Sequence, residues 1–228
     1  GDDVIIRSNG PPVRVLSILD APITLRGIVT FNTANVLAAV AALHGLGMAV
    51  NTIRNGISTF HPSATQNPGR MNIIDFVTFK VILDYGHNVP AINALGAALP
   101  QISNGRKIVI AHRTDDNIRE FGGALASVYD HIIVADIDPR NRVLGETPEL
   151  VKSGALETGF SETEIEIIID PLQAIDRAFS IVQPGDLIMV QVDEVAPMLK
   201  HDMKHFKNNV PRSEGKFSSQ SESLKIPK

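Results

Sequence analysis

Asp84, His87 and Asn88 close the segment Lys80-Val81-Ile82-Leu83-Asp84-Tyr85-Gly86-His87-Asn88, and Arg70 stands shortly ahead of it in Asn67-Pro68-Gly69-Arg70-Met71. The apolar run reads as a buried β-strand, and Pro90 with the Ala/Leu-rich stretch after it reads as a helix. In an open α/β sheet, ligands bind beyond the carboxyl ends of the strands, so polar groups gathered at such an end suggest a site. The Asp84 carboxylate can accept two hydrogen bonds from the vicinal hydroxyls of a ribose, or it can cap a loop or helix. His87 and Asn88 lie on the turn into a helix whose N-terminus attracts anions; the alternative is that they only close that turn. Arg70 follows a glycine that allows a sharp turn, and its planar fork fits phosphate oxygens, whereas a lone arginine is ordinarily a solvated surface charge. At a hinge between domains, closure would swing Arg70 onto a nucleotide bound elsewhere.

Other groups are candidates of the same kind. Asn32 and Asn35 share one helix face at i, i+3 spacing, one as a cap and the other able to present an amide to an adenine edge. Asp138-Pro139-Arg140-Asn141-Arg142, followed by Gly145-Glu146-Thr147-Pro148, sets two arginines and two carboxylates in one loop. Such a loop can hold an amino acid through complementary charges, or it is a solvated charged turn. His112-Arg113-Thr114-Asp115-Asp116 reads either as helix-capping residues or as another wall of the same crevice. The chain contains no nucleophile elbow with a Ser-His-Asp order, no His-Glu-x-x-His and no Gly-x-x-x-x-Gly-Lys-Thr.

The elements that must position these residues are legible. Residues 1–30 hold short β-type runs (Val4–Arg7, Val13–Leu16, Ile23–Leu25) broken by Gly and Pro. Asn32 is placed as the cap of a helix through Asn35–Leu43 that ends at Gly45 or Gly47, and Thr52 opens a shorter helix. His61–Pro68 is polar and aperiodic and reads as a linker at a domain boundary. Beyond it, β-type runs at Phe79–Leu83, Lys107–Ala111, Ile132–Ala135, Glu164–Ile169 and Leu187–Val192 alternate with amphipathic stretches, the pattern of right-handed βαβ units and a mainly parallel sheet. Thr147-Pro148 and Asp170-Pro171 each read as a cap followed by Pro at the first helical position. The expected division is residues 1–66, 67–207, and a disordered tail over 208–228 that is rich in Lys, Ser and Gln.

Composition narrows the partners. The 228 residues carry a net charge of -4, two Tyr and no Trp, which argues against a nucleic-acid surface or an anionic membrane as the main partner. The absence of Cys excludes disulfides, thiol catalysis and thiolate zinc sites. No apolar run approaches the roughly 18 residues that span a bilayer, and the N-terminus lacks a signal-peptide pattern, so the cytoplasm is the expected compartment.

Three segments taken in order resemble the Mur ligase superfamily: Phe31-Asn32-Thr33-Ala34-Asn35-Val36-Leu37-Ala38-Ala39, then Phe60-His61-Pro62-Ser63-Ala64-Thr65-Gln66-Asn67-Pro68-Gly69-Arg70-Met71-Asn72, then Asp84-Tyr85-Gly86-His87-Asn88. The second is most similar to the cyanophycin synthetase branch. The resemblance implies the end of a central ATPase domain over 1–66, followed by the family's C-terminal Rossmann-like domain. It implies ATP and Mg2+ as cofactors, with magnesium ligands mainly outside this chain. It further implies phosphorylation of a carboxylate and attack of an amine on the acyl phosphate; in the cyanophycin branch arginine is joined to the aspartate side chains of a polymer.

Carried over by position, the resemblance makes Asn35 the adenine contact, Asp84 the ribose ligand and Arg70 the catalytic arm to the terminal phosphate. His87 and Asn88 match the family's Asp-Tyr-Ala-His-Asn-Pro turn, with Gly86 and Val89 in place of Ala and Pro. Asp138, Arg140, Arg142 and Glu146 fall in the amino-acid-selecting loop. The chain departs from the family at Ala111–Asp116, where a Gly-Asp-Arg-Asp type segment is usual. A phosphate-binding loop is expected upstream of Gly1, so the chain reads as a piece of a longer ligase that cannot form an acyl phosphate by itself. A muramyl-peptide or folylpolyglutamate ligase, or a degenerate domain kept for binding or oligomerisation, are the alternative readings.

Overall fold

The computed structural model describes residues 2–193 apart from Asn9, residues 113–116, Asp138 and Arg140. The expected tail over 208–228 lies outside the described residues. At the N-terminal end β1 (Asp3–Ile6) and β2 (Val13–Ser17) form an antiparallel pair. Ile23–Leu25, expected as a third β-type run, is instead a 3-10 turn over Pro22–Thr24 that leads into two left-handed residues, Leu25 and Arg26. Pro22 fixes φ and removes a ladder donor, and the buried Thr24 hydroxyl lies 2.8 Å from the Ala21 carbonyl oxygen and accepts from Gly27 N.

Helix α1 (Thr30–Gly45) starts two residues before Asn32, so Asn32 is not its cap. Asn32 is buried in the first turn, where its amide donates to Ile23 O at 2.8 Å and ties the helix to the preceding turn. The helix ends at Gly45, with Gly47 at a φ of 81°, as the glycines predict. Helix α2 (Val50–Ser58) begins two residues ahead of Thr52. Val4, Ile6, Val15 and Leu16 pack against Val36, Val40, Ile53 and Ile57 to form the core of this part.

The rest is a six-stranded sheet with helices on both faces. Its strands are β3 (Asn72–Asp75), β4 (Lys80–Asp84), β5 (Lys107–Ala111), β6 (His131–Val134), β7 (Ile165–Ile167) and β8 (Leu187–Gln191), in the order β3-β4-β8-β5-β6-β7. All neighbouring pairs are parallel except β3 with β4. Four helices connect the parallel strands: α3 (Val89–Ile102), α4 (Ile118–Val128), α5 (Glu146–Glu157) and α6 (Pro171–Ile181). Strand side chains alternate between the faces. Ile82, Val109, Met189 and Ile132 join Leu95, Phe121 and Leu125 of α3 and α4 on one side. Val81, Leu83, Ile108 and Ile188 join Ile175 and Phe179 of α6, with Phe76 and Phe79, on the other. Burial on both faces explains why these strands read as unbroken apolar runs.

Helices α4 and α5 touch backbone to backbone. A Cβ on Gly154 would lie 1.9 Å from Arg119 O, and one on Gly122 would lie 2.0 Å from Val151 O. Asp170 caps α6 as predicted, accepting from Gln173 N at 2.9 Å. Thr147 does not cap α5: the helix starts at Glu146 from Gly145 at a φ of 90°, which leaves Thr147 and Pro148 buried in its first turn. Among the described residues no helix is long and apolar enough to cross a membrane.

Candidate active site

Strand β4 delivers Asp84 to the carboxyl edge of the sheet, where its side chain is 7% exposed. One carboxylate oxygen accepts from Met71 N at 2.8 Å and the other from Gly86 N at 2.7 Å. Burial pushes the Asp84 carboxyl above its ordinary pKa, while those two N–H groups and the Arg70 charge pull it back. Gly86 packs closely here: a Cβ at that position would come within 2.9 Å of Leu95 Cδ1, the end of a flexible side chain, and 3.1 Å of an Asp84 oxygen.

The turn that carries Arg70 is fastened to this strand end. Gly69 and Met71, on either side of Arg70, have φ values of 68° and 52°. For a methionine the left-handed conformation costs on the order of 1 kcal/mol, and the Asp84 bond to its N–H offsets it. The buried Asn72 amide accepts from Gly69 N and donates to Asn67 O, while Tyr85 N donates to Gly69 O at 2.8 Å. Exposed Arg70 lays its guanidinium over the Tyr85 ring, 4.6 Å from the centroid, and that ring meets His87 edge-on at 4.3 Å. Asn88 is the cap of α3, accepting from Ala91 N at 2.9 Å, so the capping alternative describes what its side chain does.

Asn35 stands exposed on α1, and its amide donates to Asn32 Oδ1 at 3.1 Å. Its helix enters the fold beside the sheet: Val29 and Phe31 belong to the same apolar core as Met71 and Leu95. His112, at the end of β5, is buried. Its N–H donates to Gln191 Oε1 at 3.0 Å and its Nε2 lies 3.1 Å from Gln191 O, which links β5 to β8. Residues 113–116 lie outside the described residues.

In the loop after β6, Asp138 and Arg140 also lie outside the described residues. Arg142 and Glu146 are exposed; the Glu146 carboxylate accepts from Val143 N at 3.2 Å, and Arg142 N donates to Pro139 O. A residue that sequence reasoning missed lies beneath them. Asp136 is 5% exposed and accepts from Gly145 N at 2.7 Å through one oxygen, while its other oxygen, Oδ1, is buried with no hydrogen-bond partner among the described residues. An unpaired buried carboxylate oxygen at the carboxyl end of a parallel strand favours a cationic or amine ligand. Its signal in the sequence is a carboxylate directly after the apolar run Ile132–Ala135, the same signal that marked Asp84. Asn72 and Tyr85 were also missed as supports of Arg70, because their roles depend on a turn whose shape no spacing rule gives. Among the described residues no group of three or more His, Asp or Glu side chains converges to hold a metal ion.

Residues 69–191 match the model of the Mur ligase, glutamate ligase domain family. A cyanophycin synthetase of Synechocystis sp. is 34% identical over 78% of this chain and 21% of its own length. The chain thus spans about a fifth of the length of the curated cyanophycin synthetases it matches. Among solved structures, UDP-N-acetylmuramate-alanine ligase of Thermotoga maritima aligns with a TM-score of 0.58 at 17% identity, covering 79% of this chain and 38% of that one. E. coli FolC in complex with ADP aligns with a TM-score of 0.57 at 23% identity, covering 77% and 40%. At these identities the structures establish a shared fold, a mixed α/β domain with a mostly parallel central sheet.

Proposed function

The chain belongs to the Mur ligase family through its glutamate ligase domain, and from that premise we propose that it is the C-terminal part of an ATP-dependent amide ligase. Residues 1–66 are then the end of a central ATPase domain and 67–207 the ligase domain. The phosphate-binding loop and most magnesium ligands lie on a part of the protein outside this chain, which by itself forms no acyl phosphate. The observation that carries the reading is the Arg70 turn, locked by Asp84 to the carboxyl end of β4.

In this reading ATP supplies the phosphoryl group that turns a substrate carboxylate into an acyl phosphate. An amine attacks the acyl carbon, the amide C–N bond forms, and inorganic phosphate leaves with the former acyl oxygen. Arg70 reaches the terminal phosphate and stabilises the charge that spreads over its oxygens as the phosphoryl group moves. The N-terminus of α3, capped by Asn88 just past His87, adds a positive dipole end on the same side. Asp84 faces the ribose: each of its oxygens keeps an acceptor lone pair besides the one taken by Met71 or Gly86. Asn35 meets the adenine. Asp136 with the loop of Asp138, Arg140, Arg142 and Glu146 receives the amino acid, the Asp136 carboxylate holding its cationic end.

The identity to cyanophycin synthetases supports that branch of the family, and with it the reading in which arginine is the amine, the aspartate side chains of a polymer are the carboxylates and the cytoplasm is the compartment. The test supplies the complete protein with ATP, Mg2+ and either arginine, a diamino acid or glutamate. Phosphate release that depends on arginine and on the polymer supports this reading. Release with a diamino acid or glutamate instead assigns the protein to a muramyl-peptide or folylpolyglutamate branch, and no release with any amine favours a binding module.

A further inference from the structure

Resting on the reading of Arg70 as the phosphate-contacting arm, we propose that Tyr85 is a positioning residue for it: the Tyr85 ring is the platform that holds the guanidinium in place before substrates arrive. An arginine side chain has several rotatable bonds, and ordering it at the moment of reaction opposes catalysis. Backbone bonds fix the Arg70 Cα. Tyr85 N holds Gly69 O, Asp84 holds Met71 N, and Asn72 holds Gly69 N. None of them restrains the guanidinium.

The ring of Tyr85 supplies that restraint. The Arg70 Cζ lies 4.6 Å from its centroid, inside the range in which the negative face of an aromatic ring attracts a cation. The ring is itself half-buried and braced edge-on by His87 at 4.3 Å and 64°. One residue therefore fixes both ends of the arm, through its N–H to the turn and through its ring to the charge. A planar cation stacked on a ring also keeps its N–H edges pointing outward, free to bond a phosphate.

The test has an activity arm and a structural arm. In the complete ligase, Tyr85→Phe keeps the ring and is expected to stay within about twofold of the parent, while Tyr85→Leu lowers kcat by about three- to tenfold with little change in the KM for the amine. Adding Tyr85→Leu to Arg70→Ala changes nothing further, because the effect passes through Arg70. In the 228-residue chain, the Arg70 side-chain proton resonances are expected upfield of their ordinary positions through the ring current, retained in Tyr85→Phe and lost in Tyr85→Leu. Full activity of Tyr85→Leu, equal damage from Tyr85→Phe, an additive loss on Arg70→Ala, or unshifted Arg70 resonances in the parent chain would each overturn the proposal. If the complete protein ligates nothing, the functional reading fails while the Arg70 resonances still decide whether Tyr85 holds the arm.

Discussion

The carboxylate of Asp84 accepts a hydrogen bond from Met71 N at 2.8 Å, and Met71 holds its left-handed φ of 52° with its side chain fully buried. A strand-end carboxylate therefore fixes the shape of a turn thirteen residues earlier, and with it the place of Arg70. Asp84→Ala leaves the N–H groups of Met71 and Gly86 without their acceptor. A loss of about 1–3 kcal/mol in unfolding free energy is expected from urea titration at neutral pH.

Two carboxylates make the acid response run in opposite directions. Burial raises the Asp84 pKa, so the folded state takes up that proton first, and the cost of the buried charge disappears as pH falls through the raised value. Glu166 is held below its ordinary range, first by the Arg177 hydrogen bonds and further by His131, against opposing burial. Its contribution is complete above the unfolded pKa and is lost as pH falls through the lowered folded value. Relative to Asp84→Asn the parent should gain stability on acidification, and relative to Glu166→Gln it should lose stability, as read from urea midpoints between neutral pH and the carboxylate range.

Gly154→Ala should cost about 3 kcal/mol in the same measurement, because the added Cβ meets the Arg119 carbonyl at 1.9 Å and two helix backbones must separate. Far-UV circular dichroism should change little at low temperature while the thermal midpoint drops.

Asp136→Asn keeps an acceptor for Gly145 N but removes the charge. The expected outcome in the complete ligase is a rise of about tenfold in the KM for the amine with the KM for ATP unchanged. Equal effects on both would remove Asp136 from the amine side.

Most of the sheet was legible because its strands are buried on both faces, so Lys107–Ala111 and Leu187–Gln191 stand out as apolar runs without any alternation to interpret. Strand β3 escaped notice because Asn72–Asp75 is four residues long and lies at the edge in the antiparallel sense. Asn32 has the residue type of a cap, but its amide serves a contact nine residues back in the sequence, with Ile23 O, which no local rule gives. At the end of β4, residue type and spacing marked Arg70, Asp84 and Asn88 as candidates beside capping and surface-charge alternatives, and the capping alternative is what the Asn88 side chain does. The clasp among Asp84, Met71, Asn72 and Tyr85 depends on two left-handed backbone positions, one at a methionine, and local propensity disfavours that conformation.

In the proposed reading Arg70 serves phosphoryl transfer in an amide ligase. Amine-dependent conversion of ATP to ADP and phosphate by the complete protein, measured for the parent and for Arg70→Ala, tests it most directly. Arg70→Ala is expected to lower kcat by about a hundredfold or more with unfolding free energy changed by no more than about 1 kcal/mol. Turnover by Arg70→Ala at the parent's rate would contradict it.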